Sequence, residues 1–238
     1  MVHLAVVYVR NRLFDAGILR PHRLPRPVVS VGNVQIGGTG KTPLVRELIR
    51  LLEDRGYRVA VLTRGYRRRS REPLIVKAAD NRPAPAPGDE RLSEGGAKGG
   101  KISPEQIGDE PTLLLSALRR GVLGVGRQRH KVGAAVLGAA EVDLFLLDDG
   151  FQHRRLHRDV DICLIDVSRW PGHPFLFPLS SLRDARSSLR RAHVIILTKY
   201  EQCSGRADAL EASLRRRYRI PVLRGGYQVV GWERLISG

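Results

Sequence analysis

The sequence predicts an α/β fold, in which a mostly parallel β-sheet carries helices on both of its faces. Short runs of β-branched and aliphatic residues alternate with longer segments whose apolar residues recur at helical spacing. This repeated succession is the pattern of a parallel sheet with crossover helices. The chain has 238 residues, of which 42% are apolar and 27% are charged. It is therefore long enough and apolar enough to bury a large core, and wholesale disorder is excluded.

The predicted elements follow one another from about residue 26. Runs with the composition of buried strands occupy 28–31, 58–62, 122–125, 143–147, 160–165 and 193–197, and a further strand-like run lies at 227–230. Helical periodicity marks 44–52, 111–120, 128–139 and 206–218. Gly56 and Gly121 stand where the first two of these helices end, as expected of C-terminal caps.

The first 25 residues form a segment of their own. An apolar run from Val2 to Val9, broken only by His3, is followed by Arg10 and Arg12. An apolar run next to arginines suits an amphipathic helix that lies on an anionic bilayer, and a helix packed on the core is the alternative. The run is too short to span a membrane and lacks the basic start and cleavage site of a signal peptide.

Residues 79–106 interrupt the regular pattern. They are rich in proline, glycine, alanine and charged residues and contain little that a core could bury. We interpret them as a mobile surface loop inserted into one domain that spans residues 26–238, not as a boundary between domains.

The charge of the chain indicates the class of its partners. Lys and Arg number 41 against 24 Asp and Glu, a formal net charge of +17. Such a charge favours nucleic acid, an anionic membrane face or phosphorylated substrates. We find no helix-turn-helix, zinc-finger or aromatic RNA-binding signature, so no nucleic-acid partner is expected. The two cysteines, Cys163 and Cys203, form neither a disulfide framework nor a metal-ligand spacing, which fits a reducing cytoplasm.

The strongest local motif is a glycine-rich loop between a predicted strand and a predicted helix. It reads GNVQIGGTGKTP from Gly32 to Pro43. The glycines let backbone amides converge on a phosphate, and the helix N-terminus adds its positive end. Gln35 stands where the usual phosphate-loop pattern has glycine. The motif makes the expected fold similar to that of P-loop NTPases, and the predicted ATP-binding residues are Gly37, Gly38, Thr39, Gly40, Lys41 and Thr42.

An acidic pair complements this loop. Asp148 and Asp149 end a hydrophobic strand and are followed by Gly150. In phosphate-loop enzymes, an aspartate at this position holds Mg²⁺ directly or through water, and the hydroxyl of Thr42 supplies another ligand. The loop and the acids together predict phosphoryl transfer or nucleotide hydrolysis.

Several blocks in one order resemble the tetraacyldisaccharide 4'-kinases of lipid A synthesis. Besides the phosphate loop, the blocks are Arg23-Leu24-Pro25, Thr63-Arg64-Gly65-Tyr66, Gly108-Asp109-Glu110-Pro111 and the run from Asp148 to His153, with weaker matches at Leu182-Arg183-Asp184 and Thr198-Lys199. The resemblance covers roughly residues 10–235. Many ATPases share a phosphate loop, whereas the combination of these blocks is specific.

The resemblance implies an ATP- and Mg²⁺-dependent kinase. Its acceptor would be the 4'-hydroxyl of a tetraacylated glucosamine disaccharide 1-phosphate, and residues 26–238 would be its P-loop kinase domain. The enzyme would be peripheral, at the cytoplasmic face of the bacterial inner membrane. An acylated acceptor makes the membrane-surface interpretation of residues 1–25 the favoured one, and the basic body would face anionic lipid.

The resemblance also implies residue roles. Asp109 would be the catalytic base beside Glu110, and Lys41 would act on the outer phosphates. Thr42, Asp148, Asp149 and Asp184 would hold or orient the metal. The acceptor and phosphate side would be lined by Glu110, Arg129, Gln152, His153 and Arg183. Two alternatives stay open: Asp109 could instead cap the following helix, and Arg129 and His153 could be solvated surface residues.

Three departures from the family pattern accompany these expectations. Asp184 occupies a position where the family has glutamate, which is longer by one methylene. The family also continues into a C-terminal portion with an Asp–His pair, which we do not find here, and the inserted residues 79–106 come directly before the predicted base.

The phosphate loop with its double glycine is also loosely similar to that of another class of protein. A partitioning or regulatory P-loop ATPase without a lipid acceptor is the alternative function, although Ile36 stands where such proteins carry their signature lysine.

Overall fold

A computed structural model describes residues 2–65, 72–78, 107–173 and 175–226, with side chains from residue 9 onward. The predicted loop at 79–106 and the strand-like run at 227–230 lie outside the described residues. Helices in the described part are α1 (Val2–Asp15), α2 (Lys41–Asp54), α3 (Asp109–Ala117), α4 (Arg129–Ala139) and α5 (Ser204–Tyr218). Strands are β1 (Val28–Asn33), β2 (Val59–Thr63), β3 (Leu74–Lys77), β4 (Val122–Val125), β5 (Leu144–Asp148), β6 (Val160–Asp166), β7 (Val194–Thr198) and β8 (Val222–Gly225).

The strands form one eight-stranded sheet in the order β3-β4-β2-β5-β1-β6-β7-β8. Every neighbouring pair is parallel except β3 and β4, which run antiparallel. β1 lies at the centre, between β5 and β6. The carboxyl ends of parallel strands meet at one edge of the sheet, where ligands of open α/β folds bind. The loop after β1 and the acids that end β5 are therefore neighbours.

Helices cover both faces of the sheet, which confirms the predicted fold class. On one face, α2 and α3 pack their buried residues, among them Ile49 and Leu114, against alternate strand positions. On the other face, α4 packs through Val132 and Val136, and α5 packs through Leu214. Aliphatic side chains make up most of the core, as the low aromatic content of 5% requires.

The structure adds two strands to those predicted. β3 and β8 have only four residues each, which is too short for either run to stand out as a strand. The predicted helix 111–120 instead begins at Asp109 and ends at Ala117. Within the described residues, no helix combines the length and apolarity that crossing a bilayer requires.

The N-terminal segment forms helix α1, whose last two turns are tied to the rest of the domain. Asn11 Nδ2 donates to Asp184 Oδ1 at 3.2 Å, and Asp15 pairs with Arg154 at 2.8 Å and with Arg190 at 2.5 Å. The amphipathic character predicted for this helix stays a prediction, because the apolar run lies almost entirely at positions whose side chains are not described.

Candidate active site

The phosphate loop joins β1 to α2 at the carboxyl edge of the sheet. Gly37 and Gly40 have φ angles of +103° and +87°, a region that only glycine adopts without strain. This backbone path turns the chain directly into α2, whose first residue is Lys41. The unpaired amides of the first helical turn and the positive end of the helix dipole therefore point out of this edge, as a phosphate site requires.

Hydrogen bonds from three side chains, one of them in the loop itself, hold the loop in this shape. Asn33 Nδ2 donates to Thr39 Oγ1 at 2.6 Å, and Thr198 Oγ1 donates to the Thr39 carbonyl at 3.1 Å. Gln35 is buried: its Nε2 donates to the Asp166 carbonyl at 3.1 Å, and its Oε1 accepts from the Asp166 amide at 2.8 Å. Gln35 therefore replaces the usual glycine because it joins the loop to the end of β6.

The acidic pair lies opposite Lys41. Lys41 Nζ is 3.6 Å from Asp149 Oδ1. Asp148 is buried at the end of β5, where its Oδ2 accepts a hydrogen bond from Thr63 Oγ1 at 3.0 Å. Burial, reinforced by the neighbouring charge of Asp149, raises the pKa of Asp148 to about 6. The structure thus brings together the loop lysine and both predicted metal-side carboxylates.

Arg183 completes this cluster. Its guanidinium donates hydrogen bonds to both carboxylate oxygens of Asp149, and the Nη1–Oδ2 distance is 3.1 Å. The same guanidinium donates to Asn33 Oδ1. Asp149 has a φ of +50°, a left-handed backbone conformation that is uncommon for residues other than glycine. Burial alone would raise the pKa of Asp149, but hydrogen bonds from Arg183 and the charges of Arg183 and Lys41 hold it below its usual value.

Next to the acidic pair lies a cavity of about 960 Å³ with a strongly basic lining. Two acidic residues, Glu72 and Asp149, contribute to it. The basic lining residues are Arg10, Arg64, Arg127, Arg129, Lys131, Arg154, Arg155 and Arg183. Such a chamber attracts an anionic ligand with more than one charged group.

Arg129 is a buried member of this lining. It is 5% exposed, and its Nη1 donates to the Arg127 carbonyl at 3.1 Å. Among the described residues, no carboxylate lies within ion-pair distance of it. Burial lowers the pKa of Arg129 to about 10. A buried guanidinium without an acidic partner favours a ligand that supplies the negative charge, and burial excludes the interpretation of Arg129 as a solvated surface residue.

Gln152 and His153 line the same cavity. Gln152 Nε2 donates to the Asn33 carbonyl at 2.7 Å, which ties the turn after β5 to the start of the phosphate loop. Burial, and then the positive charge of Arg129, lowers the pKa of His153 to about 3. His153 is therefore neutral at physiological pH, and its ring is not a solvated surface group.

Asp109 and Glu110 form the exposed first turn of α3, after Gly108 with a φ of +93°. The negative charge of Glu110 contributes to raising the pKa of Asp148, after burial and the charge of Asp149. Gly108 occupies the cap position and no side chain caps the helix, so Asp109 does not act as a cap. No hydrogen bond or ion pair links Asp109 to the other described site residues, and its role as base stays a prediction.

Asp184 belongs to a different network. Its Oδ1 accepts from Ser188 Oγ at 2.7 Å, from the Ala185 amide at 2.9 Å and from Asn11, while Oδ2 accepts from Arg191 at 3.1 Å. Both oxygens of this buried carboxylate thus have protein donors. These contacts give Asp184 a structural role, so the prediction that it is a metal ligand gains no support from its surroundings.

The remaining oxygen donors suit Mg²⁺. The hydroxyl of Thr42 in the first turn of α2 and the carboxylates of Asp148 and Asp149 are hard ligands of the kind this ion takes. Within the described residues, no cluster of three or more His, Cys, Asp or Glu side chains could enclose a metal by itself. One or two carboxylates together with nucleotide phosphates are the usual protein setting for Mg²⁺.

Sequence reasoning did not identify several residues that shape the site. Thr63, Asn33 and Gln35 act through hydrogen bonds to groups that are distant in the chain. Thr63 begins one of the quoted motif blocks, which was a usable signal. Asp166 carried no comparable signal. It forms an ion pair of 2.7 Å with Lys199, which belongs to one of the weaker motif matches.

Comparison with known proteins places these features in context. The sequence model of the LpxK family, tetraacyldisaccharide-1-P 4'-kinase, matches residues 1–229. A curated tetraacyldisaccharide 4'-kinase from Aquifex aeolicus is 38% identical over 196 residues, covering 82% of this chain and 55% of the relative. One from Geobacter metallireducens is 36% identical, covering 98% of this chain and 61% of the relative. The chain thus spans little more than half the length of these relatives.

A solved structure is similar throughout the fold. The crystal structure of LpxK from Aquifex aeolicus in complex with ATP aligns with a TM-score of 0.71 and 28% sequence identity. The alignment covers 95% of this chain and 78% of that protein.

Proposed function

Since this chain belongs to the LpxK family of tetraacyldisaccharide-1-P 4'-kinases, we propose that it transfers the γ-phosphate of ATP to the 4'-hydroxyl of a tetraacylated glucosamine disaccharide 1-phosphate. One observation supports this most directly. Lys41 and Arg183 both pair with Asp149, and Asp149 and Arg183 line the basic cavity, so a triphosphate and an anionic acceptor can meet there.

At the nucleotide end, the amides of residues 37–42 surround the outer phosphates, and Lys41 Nζ neutralises the oxygens of the transferred group. Lys41 and Arg183 both pair with Asp149. A phosphate that binds here would therefore pair with cationic side chains that contact this carboxylate when no phosphate is bound. Positioning and charge neutralisation are the main contributions a protein makes to phosphoryl transfer.

Mg²⁺ would be held by Thr42, Asp148 and Asp149, and it supplies neutralisation of the negative charge on the phosphates. Asp148 must be ionised to bind a cation. Its pKa of about 6 leaves it mostly ionised at pH 7, and Thr63 orients it through the 3.0 Å hydrogen bond.

At the acceptor end, we assign Asp109 as the base that takes the proton of the attacking hydroxyl, with Glu110 beside it. Asp109 is exposed at the N-terminus of α3, next to Glu110, whose charge contributes to raising the pKa of Asp148. Arg129, Gln152 and His153 would bind the polar part of the acceptor. The buried charge of Arg129 suits a phosphate group that stays on the acceptor.

The acylated acceptor sets the location we propose, which is the cytoplasmic face of the bacterial inner membrane. Helix α1 would lie in the bilayer interface, with its last turns docked on the domain beside the cavity, where Arg10 and Phe14 join the lining. The N-terminal half of α1 is apolar in sequence, and the docked half is basic.

A transfer assay tests this function. The purified chain in detergent micelles with γ-labelled ATP, Mg²⁺ and the disaccharide acceptor should produce labelled lipid. Lys41→Met should lower the rate by a factor of about 100 or more, because one positive charge on the transferred phosphate is lost. Lys77→Met, at an exposed lysine of β3, is the matched control and should keep wild-type activity.

Absence of lipid labelling by the wild-type chain would contradict the proposal. ATP hydrolysis with nucleotide-dependent dimerisation in the same preparation would favour a regulatory ATPase instead.

A further inference from the structure

We propose that the loop from Phe175 to Leu179, here called the apolar loop, is a second contact with an anionic lipid bilayer, in addition to α1. Phe175, Phe177 and Leu179 are 57%, 54% and 71% exposed. Three large apolar side chains exposed within five residues form a patch of the kind that marks an interaction surface.

The loop holds these side chains outward by its own hydrogen bonds. The Phe177 amide donates to the Leu182 carbonyl at 2.6 Å, and the Leu179 amide donates to the Leu176 carbonyl at 3.0 Å. Leu182 is fully buried, and Leu176 packs partly against the core. The exposed residues therefore belong to a segment that is attached to the core through Leu176 and Leu182.

Arginines lie between the apolar loop and the end of α1. Arg186 and Arg190 both belong to the 3₁₀ helix Arg186–Arg191. Arg186 donates to the His173 carbonyl at 2.8 Å, close to the start of the loop, and Arg190 pairs with Asp15 at the end of α1. A 3₁₀ helix rises about 2 Å per residue, so the Cα atoms of Arg186 and Arg190, which are four residues apart, lie roughly 8 Å from each other.

Exposed apolar residues also lie near the end of α1, on the other side of these arginines. Ile18 and Leu19, just beyond α1, are 69% and 38% exposed. The surface therefore has apolar side chains at two ends and arginines between them, of which Arg190 is 59% exposed in its side chain. Proteins attach to anionic bilayers when apolar side chains enter the boundary between head groups and acyl chains and neighbouring arginines contact the lipid phosphates.

The chain just after the apolar loop is joined to the phosphate loop. The Ile36 amide donates to the Ser181 carbonyl at 2.6 Å, and Ile36 is itself 37% exposed. A bilayer on this face would border the site. The inference goes beyond the proposed function and does not require that phosphate be transferred.

Vesicle co-sedimentation with the full chain tests the inference. Vesicles of phosphatidylethanolamine and phosphatidylglycerol provide the anionic surface, and vesicles of phosphatidylcholine provide the neutral one. The triple variant F175S/F177S/L179S should lose at least about tenfold in affinity for the anionic vesicles. The matched control L51S/Y57S/L113S removes three exposed apolar side chains from another part of the surface and should bind within about twofold of the wild type.

A second measurement does not depend on loss of binding. Phe175→Trp should shift its emission to shorter wavelength when anionic vesicles are added, and Tyr57→Trp should not. Equal vesicle binding by the triple variant, its control and the wild type, with no emission shift, would overturn the inference. Altered self-association of the triple variant with unchanged vesicle binding would also overturn it, because the patch would then be a protein interface.

The two proposals fail separately. If the chain binds vesicles through the apolar loop but never labels the acceptor, the proposed function is wrong and the inference stands. If the chain labels the acceptor and the triple variant binds vesicles like the wild type, the proposed function stands and the inference is wrong.

Discussion

The surroundings of Asp148 destabilise the ionised form of its carboxyl group. It is buried at the end of β5 next to a second carboxylate, and its pKa rises to about 6 from an ordinary value of 3.8. The folded state therefore favours the protonated form. The stability this provides is present at low pH and is lost as pH rises from about 4 through 6.

Asp148→Asn should stabilise the protein without metal. At pH 7 the free energy of unfolding should rise by up to about 3 kcal/mol, because the buried charge is gone and Asn can still accept from Thr63. At pH 4 the gain should nearly vanish. Urea unfolding at both pH values measures this. Asp149→Asn is the control, and it should destabilise because it removes the partner of Arg183. A gain of equal size at both pH values would contradict the explanation.

His153 has the opposite dependence on pH. Its pKa falls to about 3 because of burial and the nearby charge of Arg129, so the folded state resists protonation. Below pH 6.5 the unfolded chain binds a proton at this position that the folded chain does not bind. Stability is therefore lost as pH falls through this range, by up to about 2 kcal/mol at pH 5.

The variant His153→Gln isolates this effect. Its free energy of unfolding should fall less between pH 7 and pH 5 than that of the wild type, by about 2 kcal/mol. Denaturant titrations of both proteins at the two pH values give the difference. Parallel pH profiles would show that the imidazole is accessible to protons in the folded state.

The phosphate loop shows how an element can keep its function while its sequence departs from the usual pattern. Gln35 makes two buried hydrogen bonds with the backbone of Asp166, and the loop also bonds through Thr39 to Thr198. The loop is therefore attached to β6 and β7, as well as to its own strand and helix. Gln35 acts here as a structural residue of the sheet edge.

Gln35→Gly, which restores the usual motif, should harm the protein. It leaves the amide and carbonyl of Asp166 buried without partners, at a cost of about 2–4 kcal/mol in unfolding free energy. Thermal or urea unfolding measures the loss. Gln202→Gly, at an exposed glutamine in a short 3₁₀ helix, is the control and should cost about 1 kcal/mol or less. Equal losses in both variants would mean that the paired bonds contribute little.

Elements with a strong local pattern were predictable. α2 and α4 bury residues at helical spacing. β1, β5 and β6 are mostly apolar and mostly buried, because central parallel strands are covered on both faces. β3 and β8 escaped prediction because they are short strands at the edges of the sheet, where one side lacks a neighbour.

The site residues likewise fall into those that the sequence predicts and those that it does not. The glycines, Lys41 and the acidic pair were predictable, because their residue types reflect the chemistry of phosphates and cations. The engagement of Asp184 by Ser188 and Arg191, and the attachment of Gln35 to Asp166, depend on contacts between distant segments that a single sequence does not reveal.

Helix α1 contacts two segments that contain site residues and are distant from it in the chain. Asp15 pairs with Arg154, which follows the Gln152–His153 turn, and Arg10 donates to the Gln152 carbonyl at 3.4 Å. Asn11 reaches Asp184, the residue after Arg183. The docked half of α1 therefore sets the position of one wall of the cavity through both segments.

Asp15→Ala should consequently affect the acceptor more than the nucleotide. Loss of the pairs with Arg154 and Arg190 frees the end of α1, so the KM for the lipid acceptor should rise about threefold to tenfold, while the KM for ATP stays within about twofold. Stability should change by less than about 1 kcal/mol, since these ion pairs lie near the surface. Initial rates with each substrate varied in turn measure the split. Glu47→Ala, which breaks the surface pair with Arg50 on α2, should leave both constants unchanged. If Asp15→Ala raised the KM for ATP as much as that for the acceptor, α1 would act on the whole site and not on the acceptor wall alone.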